Sequence, residues 1–308
     1  MINFRYHIVS LMAVFLALAV GIVLGVTLVS GEANKGLAAQ AEQDRRQVQV
    51  YRTQLEQQQA LSQYRDRWDG QMQGSLIENM LMGQSVAIVA MPGAPSKTVA
   101  DLRTAVNDAG GTVTATATVT SNVFDATKSE TTIASIDQFR QFFNPQSAVS
   151  TKVGMLLGHA LLSAQGGSTD ATQKKMRSVL SDARLAQIDN DSQAQAEVLI
   201  IVSATATDPS PGLDTLVQHV EFDLALKQSG RATVLAGPNS SGVDGTDVAQ
   251  ARQEPDSRDT LSTVDVADLP SGVATVIMAA KQQLANGGQG HYGAAASADA
   301  PAPQLPIR

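Results

Sequence analysis

The feature that most constrains this chain is an uncharged, apolar run from Ile8 to Val29. The run holds 22 residues. At about 1.5 Å per residue, a helix of that length extends roughly 33 Å, enough to cross a hydrocarbon core of about 30 Å. A cleavable export signal has a shorter apolar run of about 7–15 residues, and the best cleavage sequence here, Val29-Ser30-Gly31, is a weak one. We interpret the run as a retained membrane anchor, with a cleaved signal as the alternative.

The charges beside the anchor give only a weak preference for its orientation. Arg5 precedes the run and Lys35 follows it, and the positive-inside rule counts these two side chains equally. Nearly all of the chain lies after the run, and an uncleaved export signal places that mass outside. The sequence therefore predicts a single-pass protein of the cell membrane, with a cytoplasmic N-terminus and an extracytoplasmic bulk.

Small residues recur every four positions within the anchor, at Ala13, Ala17, Gly21 and Gly25. This spacing places them along one stripe of a helix, where two membrane helices can approach closely. We predict that Ala17, Gly21 and Gly25 mediate association of anchors within the lipid bilayer. The alternative is that small residues are simply common in spanning helices.

Composition excludes several functions. The net charge is −7, which disfavours nucleic-acid binding because that requires a basic surface. The chain has no cysteine, so it offers no thiolate for catalysis, for an iron–sulfur cluster or for a cysteine-based metal site. Its four histidines are scattered. The residues themselves therefore indicate neither a cofactor nor a metal.

The segment after the anchor, residues 32–82, is predicted to form one long helix, because it contains no proline and is rich in Gln, Ala, Arg and Glu. Apolar residues follow a 3–4 spacing with one phase slip, and the predicted partner-binding residues are Val48, Tyr51, Leu55, Leu61, Tyr64 and Trp68. Polar Asp44 and Gln58 interrupt the seam. The helix is either a solvated stalk or a coiled coil that forms a homodimer or binds another membrane or envelope protein. The exposed aromatic residues favour the coiled coil.

Residues 83–287 alternate between strand and helix patterns. The sequences SVAIVAM, PSKTVADLRTAVNDAGG and TVTATATVT predict a β-α-β unit, and later strands and helices continue the alternation. The fold class is therefore α/β, with a mostly parallel sheet flanked by helices. The organisation is residues 1–31 for the cytoplasmic stub and anchor, 32–82 for the coiled-coil helix, 83–287 for the domain, and 288–308 for a flexible tail rich in Gly, Ala and Pro.

No motif in the domain indicates catalysis, so we expect a non-enzymatic protein. The loop MPGAPS lacks nucleotide-binding spacings, and the loop at 237–247 has serines without a nucleophile elbow. Whether the latter loop binds a ligand stays open. Met80 and Met82 form a pair that could attract Cu(I), but helical residues two apart diverge, which favours packing. His159 and His219 fit helical patterns as ordinary core or surface residues.

The opening FRYHIVSLMAVFLALAVGIVLG and the late LPSGVATVIMAAKQQLANGGQGHYG and PAPQLP resemble the mycobacterial copper transport protein B (MctB) family of actinobacterial envelope proteins. The similarity runs in order over nearly the whole chain. It implies a link to copper efflux with a pore-forming role. For corynebacterial members, it implies a role in cell separation, with a membrane partner that controls peptidoglycan cleavage. This resemblance is the only basis for expecting copper.

The residues do not support these two functions equally. One spanning helix can form a pore only as an oligomer, because lipid-exposed backbone must be satisfied internally, and copper ligands are scarce. An anchored coiled coil with a ligand-poor domain suits protein binding. The sequence therefore favours a scaffold or regulator of the cell envelope, with copper transport or efflux as the alternative.

Overall fold

The structure of the protein, a computed structural model, describes residues 4–190 and 192–305. The chain divides into two units, the first ending at Arg65 and the second beginning at Asp66. The first contains helix alone, and the second contains the sheet.

Helix α1 runs from Phe4–Ile77, 74 residues in all. Its segment Phe4–Val26 has a mean hydropathy of 2.8 and is long and apolar enough to cross a membrane. The predicted N-terminal apolar helix is therefore confirmed. In the first unit, every side chain that the structure describes is exposed. Pairing of this helix as a coiled coil stays a prediction.

The second unit is built on a seven-stranded sheet in the order β3-β2-β1-β4-β5-β6-β7. The strands are β1 Ser85–Ala90, β2 Thr112–Val119, β3 Ala186–Asn190, β4 Val198–Val202, β5 Ala232–Ala236, β6 Ser262–Val264 and β7 His291–Tyr292. Within the described ranges, β3 pairs antiparallel and the other neighbours pair parallel. The mostly parallel sheet is confirmed.

Eight further helices of the described chain flank or connect the strands. They are α2 Ser96–Asp108, α3 Ser129–Ile136, α4 Val149–Leu161, α5 Ala171–Asp182, α6 Leu213–Lys227, α7 Asp247–Gln253, α8 Pro255–Arg258 and α9 Pro270–Asn286. The predicted β-α-β unit corresponds to β1, α2 and β2. The glycine pair after α2 ends that helix as expected, because Gly110 adopts a φ of +77°.

Hydrophobic residues cover both faces of the sheet because successive side chains of a strand point in opposite directions. In β1, Ala87 and Val89 belong to a core shared with α4, α5 and α6. The alternate residues Val86 and Ile88 belong to a core shared with α2, α9 and the end of α1, where Ile77 is fully buried. Two-sided burial explains why the central strands are continuous apolar runs.

The range 288–308, which the composition predicts as a flexible tail, contains one short strand. His291 and Tyr292 form β7, are 4% and 5% exposed, and pair with β6. Residues 262–264 therefore lie inside the sheet, between β5 and β7.

A buried ion pair contacts the backbone of β7 and of the residues that follow it. Arg252 donates from Nη1 to Asp265 Oδ2 at 2.7 Å and from Nη2 to the carbonyl of Tyr292 at 2.9 Å. Asp265 Oδ1 accepts from the backbone N–H of Ala294 at 2.8 Å. The side chains of Arg252 and Asp265 are only 2% and 1% exposed. The pair thus ties the final strand to the rest of the sheet.

Candidate functional site

The topology of the sheet indicates where a ligand site is expected. The chain passes from β1 to β2 on one side, and β4 then pairs with the other side of β1. The order therefore reverses between β1 and β4, and open α/β sheets bind ligands at the carboxyl ends of strands that flank such a point.

A cavity of about 170 Å³ lies at this position. Pro92 and Gly93 line it from the loop after β1, and parts of 204–211 line it from the loop after β4. Helix α6 contributes His219, and Asp247 at the start of α7 completes the wall. A single water needs roughly 10–15 Å³ of such volume, so the space accommodates more than one or two waters.

His219 and Asp247 form a buried pair in the cavity wall. Nδ1 of His219 lies 2.8 Å from Oδ1 of Asp247, and the two residues are 9% and 5% exposed. The ring of Phe124 packs edge-on against the imidazole, with 4.3 Å between ring centroids. A carboxylate can only accept, so Nδ1 carries the hydrogen. Nε2 has no hydrogen-bond partner among the described residues.

Asp223 lies one helical turn beyond His219 on α6 and is completely buried. Neither of its carboxyl oxygens has a hydrogen-bond partner within the described ranges. Burial raises the pKa of this carboxyl well above its usual range, and the nearby charge of Asp247 raises it further. The site thus holds two acidic groups beside one imidazole.

The loop after β5 uses its hydroxyl groups to hold itself in place. Ser241 is fully buried and donates to the carbonyl of Pro238 at 2.6 Å, while Ser240 Oγ accepts from the N–H of Ala206 at 3.2 Å. Thr246 caps α7, accepting from the N–H of Ala249 at 3.4 Å. The serines noted in the sequence therefore form hydrogen bonds with backbone groups. The part of this loop that lines the cavity is its C-terminal end.

Sequence reasoning assigned no site role to His219, Asp223 or Asp247. A signal for two of them was present in LVQHVEFD, since residues four apart lie on one face of a helix. Asp247 is 28 residues further along, and its meeting with His219 depends on the return of the chain through β5.

The predicted partner-binding residues lie on α1 with large exposed fractions. The exposures are Val48 47%, Tyr51 59%, Leu55 59%, Leu61 43%, Tyr64 60% and Trp68 53%. These values describe one chain by itself. They leave apolar surface available to a partner, and binding there stays a prediction.

The small residues of the anchor also lie on α1. A methyl group added at Gly21 or at Gly25 would meet nothing within 4 Å, and Ala17 is exposed. Their role in helix association stays a prediction as well.

Metal binding finds little support in the positions of the methionines. Met82 is 64% exposed, whereas Met91 is 1% exposed, and Met80 packs against the core that includes Leu81. Among the described residues, no group of three or more His, Asp or Glu side chains could hold a metal ion.

Comparison with known proteins supplies the family. A family model described as "Copper transport outer membrane protein, MctB" matches residues 1–303. The chain belongs to the MctB family. A protein named "Copper transporter MctB" from Mycobacterium tuberculosis is 32% identical over 311 residues, which cover 95% of this chain and 96% of the relative. Its namesake from Mycobacterium leprae is 30% identical over 307 residues, with the same shares covered.

Membership of the MctB family confirms the resemblance seen in the sequence. The names of these relatives favour the copper-transport alternative over the scaffold that the residues alone suggested. The family description and the apolar N-terminal helix are together consistent with membrane association.

Proposed function

We propose that this chain acts in copper transport at a membrane of the cell envelope, as a membrane-anchored component rather than as an enzyme. The observation that carries the proposal is the match of residues 1–303 to the MctB family model. Copper is the cargo in this proposal. The segment Phe4–Val26 serves as the retained anchor, with the N-terminus in the cytoplasm and the α/β domain outside.

Transport requires more than one copy of the anchor or a second membrane protein. A single apolar helix offers an ion no polar path through lipid, because ions and unpaired polar groups are costly in hydrocarbon. In our proposal, the stripe of Ala17, Gly21 and Gly25 lets anchors pack closely. The conducting path then belongs to the assembly.

Copper accumulation tests this proposal. The chain is expressed in mycobacterial cells that lack their own MctB, the cells are loaded with copper, and cell copper is measured by mass spectrometry. We expect at least twofold less retained copper than with an empty vector. The double variant Gly21→Leu/Gly25→Leu should insert in the membrane and lose the effect, whereas Val20→Leu/Leu24→Val serves as a conservative control. Equal copper with and without the wild-type chain would refute the proposal.

A second candidate function is a scaffold or regulator that binds a membrane or envelope partner, with roles such as cell separation and control of peptidoglycan hydrolysis. The observation that favours it is the row of exposed Tyr51, Leu55 and Tyr64 on α1. Burying aromatic and aliphatic side chains stabilises a helical interface. The charges of residues 32–69, six acidic and six basic, do not repel a second copy or another helix.

Co-purification from membranes tests the scaffold. The triple variant Tyr51→Glu/Leu55→Glu/Tyr64→Glu should lose partner chains without unfolding the α/β domain. The matched control Gln49→Glu/Thr53→Glu/Gln59→Glu places the same charge on α1 outside the apolar residues and should retain them. If the first variant keeps every partner of the wild type, this function is wrong.

A further inference from the structure

We propose that the cavity between the ends of β1 and β4 binds a small organic amine, which donates a hydrogen bond to Nε2 of His219. This site is separate from copper transport and from the helical stripe of α1. Its ligand class follows from the free imidazole nitrogen, the charges around it and the walls of the cavity.

Asp247 determines which ring nitrogen of His219 faces the cavity unpaired. Its Oδ1 lies 2.8 Å from Nδ1, and in the tautomer with the hydrogen on Nδ1 the ring presents Nε2 as an acceptor. His219 is itself more than nine-tenths buried and lines the cavity. Nε2 of this side chain has no hydrogen-bond partner among the described residues, and a ligand N–H placed in the cavity would supply one.

The charges of the site favour a cation. Asp247 lines the cavity, and no lysine or arginine is among the described lining residues. Helix α6 begins nearby at Leu213, and a helix N-terminus favours anions. That effect amounts to about half an elementary charge and fades within a turn, so the full charge of Asp247 outweighs it.

The walls select a compact ligand with an apolar body. Pro92, Pro211 and Leu216 present hydrocarbon to the cavity, and Thr205 stands at its exposed side. Small-molecule sites commonly combine such apolar walls with a few polar groups that orient the ligand. A primary amine on a short or cyclic hydrocarbon meets both requirements.

Calorimetric titration of the full chain in detergent micelles tests the site with three probes of similar shape. Benzylamine is a cation at neutral pH, benzyl alcohol is neutral and benzoate is an anion. We expect saturable binding of benzylamine, at least tenfold weaker binding of benzyl alcohol and no binding of benzoate. Absence of saturable benzylamine binding, or tighter binding of benzoate, would overturn the proposal.

Three variants, one of them a control, locate the binding. Thr205→Trp fills the exposed side of the cavity and should weaken benzylamine at least tenfold, whereas Thr172→Trp, at an exposed threonine of α5, should not. The double variant His219→Phe/Asp247→Asn keeps a ring in the site and removes the acceptor and its carboxylate, and it should abolish binding. Undiminished binding by Thr205→Trp would place the amine elsewhere and refute the assignment, even if the double variant fails to fold.

Discussion

The two units of this chain differ in how far their apolar side chains are buried. In the second unit, large side chains such as Phe222 and Ile88 are fully buried against both faces of the sheet. In the first unit, the described side chains are all exposed, including Phe15, Tyr51 and Leu55. The second unit therefore contains its own core, whereas the first unit contains none among its described residues.

Because of this difference in burial, the two units must be stabilised in different ways. Burial of apolar surface is the main favourable contribution to folding, so the α/β domain has an internal reason to fold. The first unit has no such core among its described residues, and most helical stability in proteins comes from packing rather than from propensity. A lipid bilayer can cover Phe4–Val26, and our second proposed function assigns a protein partner to the stretch around Tyr51.

The largest expected effect contrasts the two units directly. Phe222→Ala removes a fully buried ring that lies 5.5 Å from the ring of Phe124. It should lower the free energy of unfolding of the α/β domain by about 3–5 kcal/mol. Leu55→Ala should change it by less than about 0.5 kcal/mol, as surface substitutions do. Urea unfolding of both variants measures this, and equal losses would remove the distinction between the units.

A smaller effect tests the buried ion pair inside the domain. Arg252→Met leaves Asp265 as an uncompensated buried charge and should cost about 3 kcal/mol. The control Arg231→Met breaks the ion pair with Glu197, whose side chains are 44% and 20% exposed, and should cost less than about 1 kcal/mol. Limited proteolysis after Tyr292 should accelerate only in the first variant. Similar losses in both would show that burial does not set the strength of this pair.

The smallest effect concerns Asp223, where the domain buries an acid without a partner. Its raised pKa means that the folded state holds the proton more tightly than the unfolded state. Its contribution to stability is therefore full below about pH 3.9, the ordinary value of aspartate. The contribution declines as the pH rises toward the folded pKa.

Asp223→Asn should accordingly stabilise the domain at pH 7, by on the order of 1 kcal/mol. The gain should shrink toward zero as the pH falls to about 4, because the wild-type carboxyl is then neutral in both states. Thermal unfolding at a series of pH values follows this difference. A gain that is independent of pH would show that ionisation of Asp223 is not its cause.

The sequence predicts those parts of the fold that local patterns determine. The β-branched run at 85–90, the amphipathic helix after it and Gly110 together indicate the first β-α-β unit, and all three are confirmed. Composition predicts 288–308 as flexible because Gly, Ala and Pro cannot form a core alone. It misses β7 because the residues that hold that strand, Arg252 and Asp265, lie far away in sequence.

The candidate site shows the same limit. The helical spacing of His219 and Asp223 can be read from the sequence, but nothing local indicates that Asp247 will meet the imidazole or that the cavity will lie beside it. The exposed row on α1 is the reverse case. Periodicity indicates the residues, and whether a partner binds them stays a prediction.

The central claim is that the first unit obtains its burial from another molecule, and photocrosslinking in living cells tests it most directly. A photoreactive amino acid is placed at Tyr51, or at Gln49 as the control, and adducts are identified by mass spectrometry. We predict a discrete protein adduct from position 51 and little or none from position 49. Either a second copy or another membrane protein in that adduct would satisfy the claim. Equal, diffuse labelling from both positions would contradict it.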